Sequence, residues 1–332
     1  MVQKNMQIRV ATAGEALIDM IRNPDGRFEP CLGGAVYNLT RALARQSIET
    51  LYLNPLSRDR FGRQLAEGLE RDGVVLAVPE PVLEVTSLAV VSVNEQGHPD
   101  YAFYRQGVAD RATSAVALAQ ACAQIDTLSV VCTGALALSP DDASTYLPWL
   151  SDQRQAGKLI VIDANLRPSV MPDLKRYRSH VLTALQYADV IKVSDEDLEN
   201  LAIEGASALE QGRKLLQSSC ASFLALTRGG EGASLLTRSG QVFHAKETAV
   251  LSIMDTVGAG DCFLAGLVVA LLEGSLPRDW GTDPVAPEQA QSLLSNAIAS
   301  ASICVQRRGC VPPLREEVRT HMATGSIAFS AA

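Results

Sequence analysis

With 332 residues, 47% of them hydrophobic, the chain is long enough to bury a large core, and 29 basic against 37 acidic residues leave a net charge of −8. That acidity, without any basic cluster, argues against a nucleic-acid surface. The longest apolar run, Cys262 to Leu272, falls far short of the roughly 20 residues of a membrane span, and Met1-Val2-Gln3-Lys4-Asn5 leads into no signal-peptide core, so the expected location is cytoplasmic.

Short β-rich runs alternate with helical periodicity along the chain. Strand Ile8–Gly14 precedes helix Ala35–Gln46, strand Thr50–Leu53 precedes helix Gly62–Asp72, and strand Leu128–Thr133 precedes helix Asp141–Gln155. Strands Leu159–Asp163 and Val190–Val193, helices Asp195–Ile203 and Ala208–Ser218, and strand Ser222–Thr227 follow. This alternation predicts an α/β fold, a mainly parallel sheet with helices on both faces, and ligands at the carboxyl ends of its strands. Two stretches break the pattern. Residues 16–31 carry a hairpin signal at Asn23-Pro24-Asp25-Gly26 and residues 86–105 another at Asn94-Glu95-Gln96-Gly97, and neither has a helix to cover it. A four-stranded flap projecting from the body is the economical interpretation. Ala233–Leu236 and Val242–Lys246 read as a further hairpin at the sheet edge, and Pro277–Pro287 as a polar loop. With no repeat, low-complexity segment or boundary, one domain over 1–332 is expected.

The seven cysteines (31, 122, 132, 220, 262, 304, 310) include no Cys-x-x-Cys pair, and most lie in apolar company. They read as small core residues in a reducing compartment. The four histidines lack metal-ligand spacing, which argues against structural zinc. Neither a Walker loop nor a complete G-x-G-x-x-G is present.

The run Asp255-Thr256-Val257-Gly258-Ala259-Gly260-Asp261 opens an apolar helical stretch. Its glycines permit a tight turn with inward amides, and the helix start adds unpaired N–H groups and the positive end of a dipole: an anion site. Asp261 would repel the anion unless it faces a hydroxyl, whose proton it could then accept. An ordinary Gly-rich helix cap with an Asp in its first turn is the alternative for this string taken alone.

The string closely resembles the D-T-x-G-A-G-D signature of the ribokinase-like (PfkB) family of carbohydrate and nucleoside kinases. Further segments match that family in order: Gly33-Gly34-Ala35-Val36-Tyr37-Asn38; Ser57-Arg58-Asp59-Arg60-Phe61-Gly62, with Ser57 in place of a glycine; Phe103-Tyr104-Arg105 with Ala109-Asp110; Asp163-Ala164-Asn165-Leu166-Arg167; Lys192-Val193-Ser194-Asp195-Glu196-Asp197; and Thr227-Arg228-Gly229-Gly230-Glu231-Gly232. The resemblance implies a ribokinase-like fold in which the flap is a lid over a sugar. It implies that Asp19, Gly33, Gly34, Asn38, Phe103, Arg105 and Arg167 bind substrate, and that Asn165, Ser194, Thr227, Gly229, Gly232 and Asn296 lie toward the nucleotide. Asp261 would be the general base, and the amides of Gly258, Ala259 and Gly260 the anion hole. Asp197, shorter than the family's Glu, would order Mg²⁺ through water, and Asp255 would help surround a K⁺ ion. The implied reaction moves the γ-phosphoryl of ATP to a primary hydroxyl, with the 6-hydroxyl of fructose as the leading acceptor and 2-keto-3-deoxygluconate as the alternative. Ribokinase or nucleoside-kinase activity and a non-catalytic sugar-binding regulator rank lower. A homodimer through the lids is the implied assembly.

Overall fold

The computed structural model describes residues 7–23, 25–93, 99–168, 171–274 and 284–331. β1 (Val10–Thr12) leads into β2 (Leu17–Arg22) and β3 (Phe28–Gly33), then α1 (Ala35–Arg45), β4 (Thr50–Tyr52), α2 (Arg60–Arg71) and β5 (Val75–Leu76). Next come β6 (Ser87–Val93), β7 (Pro99–Tyr104), α3 (Ala115–Ala123), β8 (Val130–Gly134), α4 (Ala143–Gln155), β9 (Leu159–Asp163), α5 (Leu174–Leu185) and β10 (Val190–Ser194). The described chain ends with α6 (Asp195–Asn200), α7 (Ala208–Ser218), β11 (Phe223–Thr227), β12 (Ala233–Thr237), β13 (Val242–Glu247), α8 (Ala259–Glu273), α9 (Pro287–Cys304), α10 (Arg315–Ala323) and β14 (Ile327–Ala331).

A ten-stranded sheet runs in the order β14-β13-β12-β11-β10-β9-β8-β1-β4-β5. The strands from β11 to β5 pair in parallel, and β12, β13 and β14 add an antiparallel flank. Strands such as β9, apolar from Leu159 to Ile162, are buried throughout, because helices cover both faces. On one face, Leu118, Trp149, Tyr177, Val181 and Leu215 bring α3, α4, α5 and α7 against the sheet. On the other, Leu39, Leu43, Phe263, Leu267 and Leu294 do the same for α1, α8 and α9. The apolar run Cys262–Leu272 is therefore a helix buried on all sides between α1 and α9. Among the described residues no helix is long and apolar enough to cross a membrane.

The hairpin Ala233–Leu236/Val242–Lys246 does form, yet it is not the sheet edge. β14 pairs with β13 from Phe243↔Ala331 to Glu247↔Ile327 and takes that position, with Phe329 stacked on Phe243. The four flap strands make a second sheet in the order β3-β2-β6-β7. Its root is covered after all: Ile18, Met20, Leu32 and Leu88 pack with Tyr37 of α1 and Leu65 and Leu69 of α2. Asp59 fixes this junction, capping α2 at the Gly62 amide (2.7 Å) while accepting from the Thr86 amide (2.8 Å) and hydroxyl (2.7 Å). The Asn94-Glu95-Gln96-Gly97 turn, Pro24 and most of Pro277–Pro287 lie outside the described residues; Pro287 itself opens α9.

Strand order places the site. From β1 the chain moves on to β4 on one side, whereas β8 leads to β9 on the other, so the loops leaving β1 and β8 diverge. A crevice at such a switch point is where open α/β sheets bind ligands.

Candidate active site

α8 begins at the mouth of that crevice. Gly258 caps it in the left-handed conformation (φ 77°), and a Cβ there would overlap the Cys310 sulfur, so the turn requires glycine twice over. Two anchors hold the approach. The Asp255 carboxylate accepts from the Val257 amide (3.0 Å) and the Gly309 amide (2.9 Å), and the Val305 carbonyl accepts from the amides of Met254 (2.9 Å) and Asp255 (3.2 Å). The amides of Gly258 and Gly260 have no acceptor among the described residues, whereas the Ala259 amide, expected to complete the anion hole, donates to the Thr256 carbonyl at 3.2 Å to close the tight turn. They are free for an anion at the positive end of the helix.

Two spaces meet at this first turn. On one side Gly260 and Ala259 line a cleft of about 290 Å³, together with Thr227, Gly229, Gly232, Phe263, Ile298, Ala301, Ser302 and Val305. On the other, Asp261 and Asp163 face a small pocket with Ala35, Thr133 and Gly134. Asp261 is buried, and burial pushes its carboxyl up to about 6 against the Asn38 hydrogen bond and the charges of Lys192 and Arg167. Asn38, one turn into α1, donates to Asp261 Oδ2 at 2.9 Å. The structure thus places Asn38 on the carboxylate of the expected base.

Asp19 sits in the middle of β2, paired across to Cys31 and Ala89. Burial pushes it up to about 6, opposed by the Arg167 guanidinium, the same group whose charge acts on Asp261. Gly33 lets the flap strand approach, since a Cβ at that position would overlap Asp19 Oδ2. Gly34 caps α1, and the Ala35 amide donates to Glu15 Oε1 at 3.0 Å. Arg167 is aimed by Asn165, whose Oδ1 accepts from its Nη1 at 2.6 Å. Asn165 therefore holds the arginine, and Asp19, Arg167 and Asp261 form one electrostatic cluster.

Other expected residues take different places. Arg105 is turned into a buried acidic nest: Nη2 lies 3.3 Å from Asp110, Nη1 lies 3.7 Å from Asp142 and donates to the Leu136 carbonyl at 3.3 Å. Phe103 packs against Leu17, Ala89 and Leu136 at the foot of the flap. Ser194 and Asp197 close a capping box on α6, and Asp197 Oδ1 also accepts from the Leu166 amide at 2.7 Å, so both its oxygens are occupied by amides. Asn296 faces α10, accepting from Arg315 at 2.7 Å and donating to the Ser292 carbonyl at 2.9 Å; one turn on, Ile298, Ala301 and Ser302 reach the cleft instead.

Sequence reasoning passed over Lys192. It is buried in β10 with Nζ 3.0 Å from both oxygens of Asp163, and only 3.1 Å from where a Cβ on Gly260 would stand. Burial alone would lower its pKa, but the charges of Asp163, Asp197 and Asp261 outweigh that and keep it protonated. A positive charge thus lies directly beneath the anion loop. The signal available was a lysine inside the apolar strand Val190–Val193, where only a paired charge is tolerated.

The profile described as "pfkB family carbohydrate kinase" matches residues 7–317. A fructokinase of Rhizobium leguminosarum bv. trifolii is 30% identical over 272 residues, 79% of each chain, and one of Vibrio alginolyticus is 30% identical over 285 residues, 85% of this chain and 89% of the relative. The solved structure of a fructokinase with bound ATP from Xylella fastidiosa superposes with a TM-score of 0.81 at 25% identity, covering 97% of this chain and 99% of the other.

Proposed function

The chain belongs to the pfkB family of carbohydrate kinases and has the ribokinase-like fold of a fructokinase-like enzyme, and from that premise we propose that it transfers the γ-phosphoryl of ATP to the 6-hydroxyl of D-fructose. One observation carries this reading: the first turn of α8 separates the 290 Å³ cleft from the Asp19–Arg167–Asp261 cluster, with the free amides of Gly258 and Gly260 between them. ATP lies in the cleft with its phosphates toward the free loop amides; the Xylella relative is a fructokinase with bound ATP. The sugar lies against the cluster. Asp19 accepts a hydroxyl, Asp261 accepts the proton of the attacking one, and the loop amides hold the developing phosphoryl charge. Mg²⁺ on the ATP phosphates supplies charge neutralisation when bound. With both oxygens on amides, Asp197 fits such an ion only through water.

The runner-up substrate, 2-keto-3-deoxygluconate, requires a cation for its carboxylate. Arg105 is spent on Asp110 and Asp142, and the charge of Arg167 already serves Asp19 and Asp261, which favours the neutral sugar. Initial rates on fructose, 2-keto-3-deoxygluconate, ribose and adenosine with ATP test the assignment. Fructose should turn over fastest, and a preference for the acid sugar overturns the fructose reading.

Because Asp261 acts ionised, kcat/KM should fall as pH drops through about 6. Asn38 stabilises the charged form, so Asn38→Ala should move this limb to higher pH, with turnover recovering above pH 8. Asp19 also titrates near 6. It does not contact Asn38 among the hydrogen bonds described, so a shift in the variant identifies Asp261 as the group responsible, and an unmoved limb removes it.

The Asp255 carboxylate joins the anion loop to the Gly309 turn. A large, weakly hydrated cation bound beside this carboxylate would fix the amides without touching substrate. K⁺ should therefore raise turnover more than Na⁺ at equal ionic strength, and Asp255→Ala should remove the difference together with much of the activity. Equal rates in the two salts leave Asp255 as a structural staple alone.

A further inference from the structure

Three cysteines, Cys262 and the distant pair Cys304 and Cys310, converge directly behind the anion loop. Cys262 follows Asp261 in α8, Cys304 ends α9, and Cys310 lies in the turn beyond; their sulfurs all lie within 4.8 Å of one another. Cys262 and Cys304 are fully buried and Cys310 half-buried. Their contacts reach the loop itself. The Cys310 sulfur occupies the space a Cβ on Gly258 would need, and Cys304 Sγ lies 3.6 Å from the Val257 carbonyl oxygen.

A trigonal or tetrahedral thiolate centre has metal–sulfur bonds of about 2.3 Å, which sets its sulfurs roughly 4 Å apart. The three thiols already stand close to that separation, held by three different backbone segments, so an ion would need only small side-chain rotations to engage them all. Thiolates select soft, thiophilic cations over Mg²⁺ or K⁺. We propose that Cys262, Cys304 and Cys310 form a binding site for a thiophilic d¹⁰ cation of the Zn²⁺ or Cu⁺ class. Binding replaces the thiol protons, which pass to solvent.

The site escaped the sequence because metal-binding cysteines were sought at short spacing, and α8, α9 and the following turn meet only in the fold. Its occupant would tie the loop to α9. Three thiolates with one divalent ion leave a net negative charge beside the amides, so an occupied site opposes the phosphoryl group and lowers turnover. This last consequence rests on the kinase reading; binding itself does not.

The test is a titration of the reduced, metal-free full-length protein with Cd²⁺, read by thiolate-to-cadmium charge-transfer absorption in the ultraviolet. The band should saturate at one ion per chain. It should vanish in Cys304→Ser and in Cys310→Ala, each checked for native circular dichroism, and persist in Cys220→Ser, which alters an exposed cysteine outside the cluster. Zn²⁺ should then inhibit the native enzyme reversibly and the Cys310→Ala variant not at all. No band in the native protein overturns the proposal, as does a full band in both cluster variants. Loss of two thiols from the cluster to a disulfide in the protein as purified, without Cd²⁺ binding after reduction, also overturns it. Absence of kinase activity with an intact Cd²⁺ band would count against the kinase reading only.

Discussion

Asp261→Asn should lower turnover by roughly two to four orders of magnitude, the span of a lost general base, while ATP still binds. The substitution keeps size and shape, and Asn38 can still donate to the remaining carbonyl oxygen, so the geometry of the first turn survives. What disappears is the proton acceptor at the point where the two chambers meet. The same substitution should make the protein more stable at neutral pH. Burial raises the folded-state pKa of Asp261 from 3.8 to about 6, so the native state binds the proton more tightly than the unfolded chain does. Stability then declines as pH rises from about 4 through 6, and above that the ionised carboxylate is a standing cost of up to roughly 3 kcal/mol. The neutral amide removes that cost. A purified variant that turns over near the native rate removes Asp261 as the base, and one that is both inactive and less stable at pH 7 shows damage to the fold instead.

Those two opposite effects expected at one residue explain why the candidate site stands out in the sequence. A carboxylate in a Gly-rich helix start conflicts with its own surroundings, and a sequence tolerates that conflict where function needs it. The central strands were equally plain: Leu159–Ile162 is an uninterrupted apolar run because both faces of the sheet are covered, and α7 matches its periodicity end to end. The misses were local signals that tertiary contacts override. The helix expected over Asp195–Ile203 stops at Asn200, and Ala202 turns into the left-handed region at φ 58°. β14 gives five residues of weak pattern and owes its strand to pairing with β13. Within the candidate site, the motifs picked out segments that the fold brings together but not the partner of each side chain. Asn38, Asn165 and Arg105 are polar residues in matching strings, yet they pair with Asp261, Arg167 and the Asp110–Asp142 nest; Asn38 to Asp261 and Arg105 to Asp142 are contacts of a range no spacing rule encodes, and the local Asn165–Arg167 pair is set by the turn leaving β9.

Lys192 is the clearest such case, and Lys192→Met should be the most damaging single change to stability. The ammonium lies between Asp163, Asp197 and Asp261 in the interior, where a charge without a partner is far costlier than a well-packed apolar side chain. Methionine matches the stem but leaves Asp163 buried with no counter-charge, which typically costs about 3–5 kcal/mol. Denaturant unfolding should show that loss. Adding Asp163→Asn should restore much of it, because the pair is then neutral on both sides, and a double variant no more stable than the single one would place the cost elsewhere. A kinetic effect should accompany it. Lys192 holds down the pKa of Asp261 and sets a positive charge beneath Gly260, so its removal should shift the acid limb of kcat/KM upward and weaken the anion hole at every pH. The double variant should regain stability without regaining turnover, since Asp163→Asn returns the neutral balance of the interior but no positive charge under the loop. Recovery of both together would make Lys192 a structural partner of Asp163 and nothing more.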